Sequence, residues 1–196
     1  ITFTYGYNTH AFLVSNKEGI NGLDFATAKD PRLPVDGSGA VSDFDFVTPM
    51  YFFAKYNSQD HAVVVSSGVE ARLIEAEARL QGATQADRDA VFAQLNTLRA
   101  TGLATAIAPL AASPTTQAAA VDMLFKERAY WLFLTGHRLG DMRRLIRQYS
   151  RTAATVFPVG NMRYRPGNTY GNDVNLVIPF IERNNPKFNG CLDRNP

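Results

Sequence analysis

Apolar residues recur at helical spacing only in the middle of this chain. Val69, Leu73, Ala76 and Leu80 fall three and four apart, which predicts one buried helix face. Ser67 with Glu70 three residues on predicts a capping box at its start, and Gly82 predicts its end. A second helix opens at Thr84 or Asp87, carries Val91, Leu95 and Leu98 on one face, and stops at Gly102. After an Ala/Pro/Thr-rich connection over 103–114, Ser113-Pro114 gives a third start signal, a capping serine followed by a proline where no N–H is needed. That helix is expected to run to about Thr135, where Gly136 breaks it. A fourth carries Leu139, Met142, Leu145, Ile146 and Tyr149 on one face. The pattern therefore predicts a mainly α protein with two antiparallel helical hairpins.

Both ends lack this periodicity. Residues 1–65 are rich in Gly, Asn, Asp and aromatics, with turn signals at Asp30-Pro31 and Asp36-Gly37. Stretches 44–53 and 62–65 suit short strands, within a segment expected to be mostly ordered loop. From Arg151 onward Pro158, Gly160, Pro166, Gly167 and Gly171 predict a long irregular segment, anchored by Phe157, Tyr164, Tyr170, Phe180 and Phe188. The whole is expected to form one domain over 1–196, organised as an aromatic loop-rich segment (1–65), helical hairpins (66–150) and an irregular C-terminal segment (151–196).

Composition narrows the class. A hydrophobic content of 45% with 19% charged residues suits a folded body with a real core. A net charge of +2 does not suggest a nucleic-acid partner. Cys191 is the only cysteine, so no intrachain disulfide forms. No run approaches the roughly 18–20 apolar residues of a membrane span.

The stretch Lys126-Glu127-Arg128-Ala129-Tyr130-Trp131-Leu132-Phe133-Leu134-Thr135-Gly136-His137-Arg138-Leu139-Gly140-Asp141-Met142-Arg143-Arg144 sets an apolar block among ordered charges. Its apolar side chains, Trp131, Phe133, Leu134, Leu139, Met142 and Leu145, are expected to be mostly buried where the third and fourth helices meet. Glu127, Arg128, Arg138, Asp141, Arg143 and Arg144 read as a structural charge network that neutralises itself at the rim. Asp141 and Arg144 are three apart on one helix and can pair, whereas Glu127 and Arg138 meet only across a hairpin. Catalytic chemistry finds no frame: His10, His61 and His137 are scattered without metal-ligand spacing, and Glu70 and Glu77 share one helix where a glycosidase needs carboxylates facing each other across a sugar. No catalytic residue, metal or cofactor is expected.

Five segments in order resemble the RagB/SusD family of outer-membrane nutrient-capture lipoproteins. They are Asp30-Pro31-Arg32-Leu33, the run from Ser67 through Glu70, Glu75 and Glu77 to Ala78, Leu95-Asn96-Thr97-Leu98-Arg99-Ala100, the 126–144 stretch and Val177-Ile178-Pro179-Phe180-Ile181-Glu182-Arg183-Asn184-Asn185-Pro186. The resemblance implies a SusD-like fold with tetratricopeptide-like packing of the hairpins and long ordered loops at both ends. Because family members are much longer, it also implies that this chain is the C-terminal portion of such a protein, without its N-terminal half. The implied function is non-catalytic capture of oligosaccharides, or in some members peptides, at the cell surface. The implied partner is a TonB-dependent transporter of the SusC type, with attachment to the outer membrane through a lipid anchor outside this chain. Sugar binding calls for exposed aromatic rings beside hydrogen-bonding groups. Tyr5, Tyr7, His10, Tyr51, Tyr56 and Asn57 are the ligand-binding candidates, and Asn161, Arg163, Tyr164, Asn168 and Tyr170 form a further cluster. The rival readings are a helical-repeat scaffold that binds only protein and, further off, a glycoside hydrolase.

Overall fold

A computed structural model of the chain describes residues 13–37, 46–56, 58, 60–176 and 179–189. It is mainly helical. Five helices occur among these residues: α1 (Gly68–Leu80), α2 (Gln85–Thr101), α3 (Gln117–Trp131), α4 (Arg138–Tyr149) and the short α5 (Ala153–Val156). Strands β1 (Val35–Asp36) and β2 (Phe52–Phe53) pair antiparallel, as do β3 (Asn161–Met162) and β4 (Arg165–Thr169). Contacts divide the chain into two compact units, Ile1–Asn16 with Asp24–Arg138, and Lys17–Leu23 with Leu139–Pro196.

The first unit is built on three helices. Ser67 caps α1, its side chain accepting from the Glu70 N–H. Glu70 does not return the bond, because its carboxylate meets His137 instead. Thr84 caps α2 with the full reciprocal box to Asp87. Arg79 lies near Asp87 and Gln94 donates to the Arg72 carbonyl, so α2 runs back antiparallel along α1. The left-handed turn between them falls on Ala83 (φ +56°) and not on Gly82, whose missing Cβ makes room for the Asp87 carboxylate. Leu73, Ala76 and Leu80 of α1, Val91 and Leu95 of α2, and Ala120 and Leu124 of α3 are fully buried together. Each large aliphatic among them contributes about 1.5–3 kcal/mol through burial.

Residues 103–114 were expected only to connect α2 with α3. They form a strap that retraces α2 toward its start. The Ile107 N–H meets the Arg99 carbonyl, the Leu110 N–H meets Asn96, Ser113 meets Asp89, and the Pro114 carbonyl accepts from Gln85. Helix α3 therefore starts beside the start of α2 and runs parallel to it and antiparallel to α1. Gln117 at its first turn donates to the Leu80 carbonyl at the end of α1.

Several expectations are corrected here. Helix α3 starts after Thr116, whose hydroxyl accepts from the Ala119 N–H, because Ser113 gives its hydroxyl to Asp89 and is not a cap. It ends at Trp131 and not near Thr135, because the chain turns over 132–136 with Leu134 left-handed at φ +58°. Leu134 is consequently exposed (37%), and Trp131, Leu139 and Met142 are half-buried, leaving only Phe133 and Leu145 of the expected set buried. Of the strand candidates, Phe52–Phe53 pairs with Val35–Asp36 and Pro49 forms an isolated bridge, while 62–65 is irregular and exposed; 44 and 45 lie outside the described residues. The β3–β4 hairpin was not foreseen in the irregular C-terminal segment.

In the second unit, loop 17–23 packs on the residues before that hairpin. The Ile20 N–H bonds to the Val159 carbonyl, Asn21 donates to the Ala154 and Phe157 carbonyls, and the Tyr170 N–H bonds to Gly160. A Cβ on Gly19 would fall 2.3 Å from the Val159 carbonyl oxygen, so only glycine allows this approach.

The two serine/threonine caps before α3 separate by mutation. Thr116→Ala should lower unfolding free energy by about 1 kcal/mol in urea melts, and Ser113→Ala, which removes only an exposed hydrogen bond, by about half of that or less. The reverse ranking would place the helix start at Ser113-Pro114.

Candidate functional site

The most heavily engaged polar cluster lies in the first unit and draws on three distant segments. Asp30-Pro31-Arg32 forms a tight turn in which the Asp30 carboxylate accepts from the Arg32 N–H at 3.0 Å. The same carboxylate grips the Arg32 side chain twice, Oδ1 from Nε at 2.9 Å and Oδ2 from Nη2 at 2.6 Å. This two-point fork fixes the guanidinium plane. Its remaining arm, Nη1, donates to Glu127 Oε2 on α3 at 2.6 Å. Arg99, from the last turn of α2, meets the same carboxylate with Nε (3.1 Å) and Nη2 (2.5 Å) and sends Nη1 to the Ala108 carbonyl of the strap (2.6 Å). The side chains of Arg32 and Glu127 are 1% and 2% exposed.

Aromatic rings close this cluster. The Arg32 guanidinium lies 5.2 Å from the Tyr130 ring centre and 5.1 Å from that of Trp131, distances at which ring quadrupoles attract a cation. Phe25 stacks on Phe133 and tilts against Tyr130, and the Tyr130 hydroxyl donates to Asp24 at 2.5 Å. Trp131 packs so closely on Gly102 that a Cβ there would fall 2.7 Å from the indole.

Electrostatics follow from this geometry. Burial would raise the Asp30 carboxyl, but hydrogen bonds from the Arg32 side chain and backbone outweigh it and hold the group below the usual carboxylate range. Burial works against the Arg32 charge too, and Asp30 and Glu127 more than restore it. The Tyr130 phenol is pushed far up by burial and then by its bond to Asp24.

Among the residues expected to form one charge network, the structure shows the following contacts. Glu127 pairs with Arg32 and Arg99, not with Arg138, because its carboxylate points to where the 30–33 turn and the end of α2 converge. Arg128 lies 3.8 Å from Glu77 of α1. In the second unit Asp141, 6% exposed at its side chain, pairs with Arg144 at 2.7 Å. Arg138 and Arg143 are half-buried. Asp30, Arg32 and Arg99 lay inside segments singled out from sequence, yet without an assigned role. The available signal was a charged residue beside core positions, Arg99 next to Leu98 and Arg32 next to Leu33.

Of the ligand candidates, Tyr5, Tyr7, His10 and Asn57 lie outside the described residues. Tyr51 is half-buried, its carbonyl accepting from the Val14 N–H. Tyr56 gives its hydroxyl to the Leu134 carbonyl, and its ring meets His61 edge-on. With Lys55, which donates to the Phe133 carbonyl at 2.6 Å and whose pKa burial lowers, Tyr56 satisfies carbonyls left open where α3 ends.

One constellation superficially resembles a catalytic triad: Glu70 Oε1 lies 2.9 Å from His137 Nε2, and His137 Nδ1 lies 2.7 Å from the Thr135 hydroxyl. That hydroxyl also reaches the Leu132 carbonyl at 2.6 Å. A proton placed there is directed away from the imidazole, so the group is built as a clasp between α1 and the turn after α3. Glu127 is equally unsuited to proton transfer, since both its oxygens accept from guanidiniums. Among the described residues no three His, Cys, Asp or Glu side chains gather to hold a metal, and no helix is long and apolar enough to cross a membrane.

No family model, curated protein or solved structure matches this chain.

Two outcomes follow from the cluster. Glu127→Ala should cost about 3–5 kcal/mol, because it leaves two guanidiniums facing each other without their carboxylate; a loss below about 1 kcal/mol would mean the cluster is solvated. The Asp30 carboxyl, depressed in the folded state, adds stability that is fully present above its unfolded value of about 3.9 and fades as pH falls through its lower folded value. Asp30→Asn should therefore flatten the loss of stability between about pH 5 and pH 2, read by urea melts across that range. An unchanged slope would assign acid unfolding to other carboxylates.

Proposed function

We propose that the protein is a non-catalytic, SusD-like capture protein that binds oligosaccharides at the cell surface and passes them to a TonB-dependent transporter of the SusC type. One observation carries this reading. Segments that resemble the family separately are the ones that interlock: the Asp30-to-Leu33 turn supplies Asp30 and Arg32, the end of α2 supplies Arg99, and α3 supplies Glu127 to one buried cluster. A fourth, α1, gives Glu77 to Arg128 and Glu70 to His137. Segments that depend on one another for charge compensation belong to one design, and this supports reading them as one signature. In the same proposal α1 and α2 form one antiparallel pair of a tetratricopeptide-like array. Location on the outer membrane, through a lipid anchor, is part of it.

The absence of a free carboxylate pair in the Glu127 cluster and the clasp arrangement at His137 favour binding over turnover. A protein-interaction scaffold is the alternative, favoured by the exposed apolar side chains of Val63, Val64 and Val65 before α1 and of Ile74 on it. Capture predicts heat of binding in calorimetry of the whole chain against a panel of neutral and acidic oligosaccharides, with every ligand recovered intact by chromatography. Cleaved product would overturn the reading in favour of a hydrolase. Retention of a protein partner with no glycan bound would favour the scaffold.

A further inference from the structure

The modest net charge of the chain conceals a segregation. The first unit holds ten Lys and Arg against thirteen Asp and Glu, a formal −3, and the second holds ten against five, a formal +5. Several of those acids are already engaged in the unit's own structure. Asp141 pairs with Arg144, and Glu18 accepts a hydrogen bond from the Tyr170 hydroxyl. Burial, and then the bond to Glu18, push that phenol well above its ordinary value, which keeps the proton on the oxygen to donate.

Cations gather around the β3–β4 hairpin. Its turn reads Met162-Arg163-Tyr164-Arg165, and all five residues of β4, Arg165-Pro166-Gly167-Asn168-Thr169, are exposed. The Arg163 guanidinium lies 5.6 Å from the Tyr164 ring centre and its Nε donates to the Tyr164 hydroxyl at 3.1 Å. Its charge is thus oriented by a phenol and not cancelled, for among the described residues Arg163 has no carboxylate partner. Lys17 has none either, and it is exposed at the start of the loop that packs on the hairpin's base. Beside it, Ile20 is 83% exposed and borders Gly160.

We propose that this hairpin and loop form a recognition surface for acidic oligosaccharides, with Arg163 and Lys17 meeting carboxylate or sulfate groups. Asn161 supplies an amide for hydroxyls, and Tyr164 and Ile20 supply apolar contact for the sugar's C–H faces. The inference rests on the capture reading and names its ligand class. A guanidinium whose Nε is held by the phenol keeps its remaining N–H groups for the planar arrangement that carboxylate and sulfate match. An anionic membrane would match the charge but calls for several neighbouring apolar side chains. Here the exposed strand is polar apart from one proline, and Ile20 is the exposed aliphatic that borders Gly160 at the hairpin's base.

The test is retention of the whole chain in affinity gels containing polygalacturonate, with dextran as the neutral probe and phosphatidylglycerol vesicles as the lipid arm. Polygalacturonate should retard the chain, less so as salt rises. Replacing Lys17 and Arg163 together by alanine should weaken this about tenfold, as loss of charge-assisted hydrogen bonds implies. Arg72→Ala with Arg88→Ala removes the same formal charge from the first unit and should leave retention unchanged. Arg163→Lys should restore part of it. Equal loss in the two double variants, or binding to vesicles but not to polygalacturonate, would overturn the proposal. Retardation by dextran that is indifferent to Lys17 and Arg163 would overturn the acidic-ligand assignment and leave capture standing, whereas failure of every glycan would overturn both.

Discussion

A carboxylate removed from water must be matched by positive charge and hydrogen-bond donors, or the fold that buries it is lost. Glu127 imposes that requirement on the first unit. Its two oxygens take three N–H groups from Arg32 and Arg99, residues 95 and 28 positions away in sequence. The consequences spread outward. Arg32 needs Asp30 to hold its plane, and so the 30–33 turn is fixed. Arg99 sends its last arm to Ala108, and so the strap lies along α2. Burying four charged side chains yields no large stability by itself, because desolvation offsets most of the attraction. What it yields is registry: loop, strap and α3 are placed together through the two guanidiniums that share Glu127.

The parts legible in sequence were local. Leu73, Ala76, Leu80, Val91, Leu95 and Leu98 followed from spacing, and Ser67 and Thr84 from cap chemistry, because each depends on neighbours within four residues. The start of α3 was misread because Ser113 and Thr116 have the same capping chemistry, and only Asp89, 24 residues back, draws the serine away. The partners of Glu127 were hidden for the same reason, since nothing local to α3 points to Arg32. Leu134 looked like core because it is apolar, and a left-handed backbone at the end of α3 turned it outward. The aromatic candidates show the limit of composition: Tyr56 is a ring in a loop, yet its hydroxyl is committed to the end of α3.

Function attaches to the two units differently. The first is stiffened by compensated charge and aromatic packing around Arg32, properties of a scaffold. The second leaves Arg163 exposed on a hairpin where Tyr164 orients its charge, with no carboxylate partner among the described residues. The proposed capture role calls for both, a rigid frame and a surface whose hydrogen-bonding capacity remains available to a ligand.

The claim on which the rest depends is that Arg32 and Glu127 act as a coupled pair that holds the loop on the helices. A double-mutant cycle with Arg32→Met and Glu127→Leu, read by urea unfolding, tests it most directly. Coupling predicts that the double variant is more stable than the two single losses added together imply, by about 2–3 kcal/mol, since removing both charges relieves the unpaired one left by either alone. Losses that add to within about 0.5 kcal/mol would contradict it.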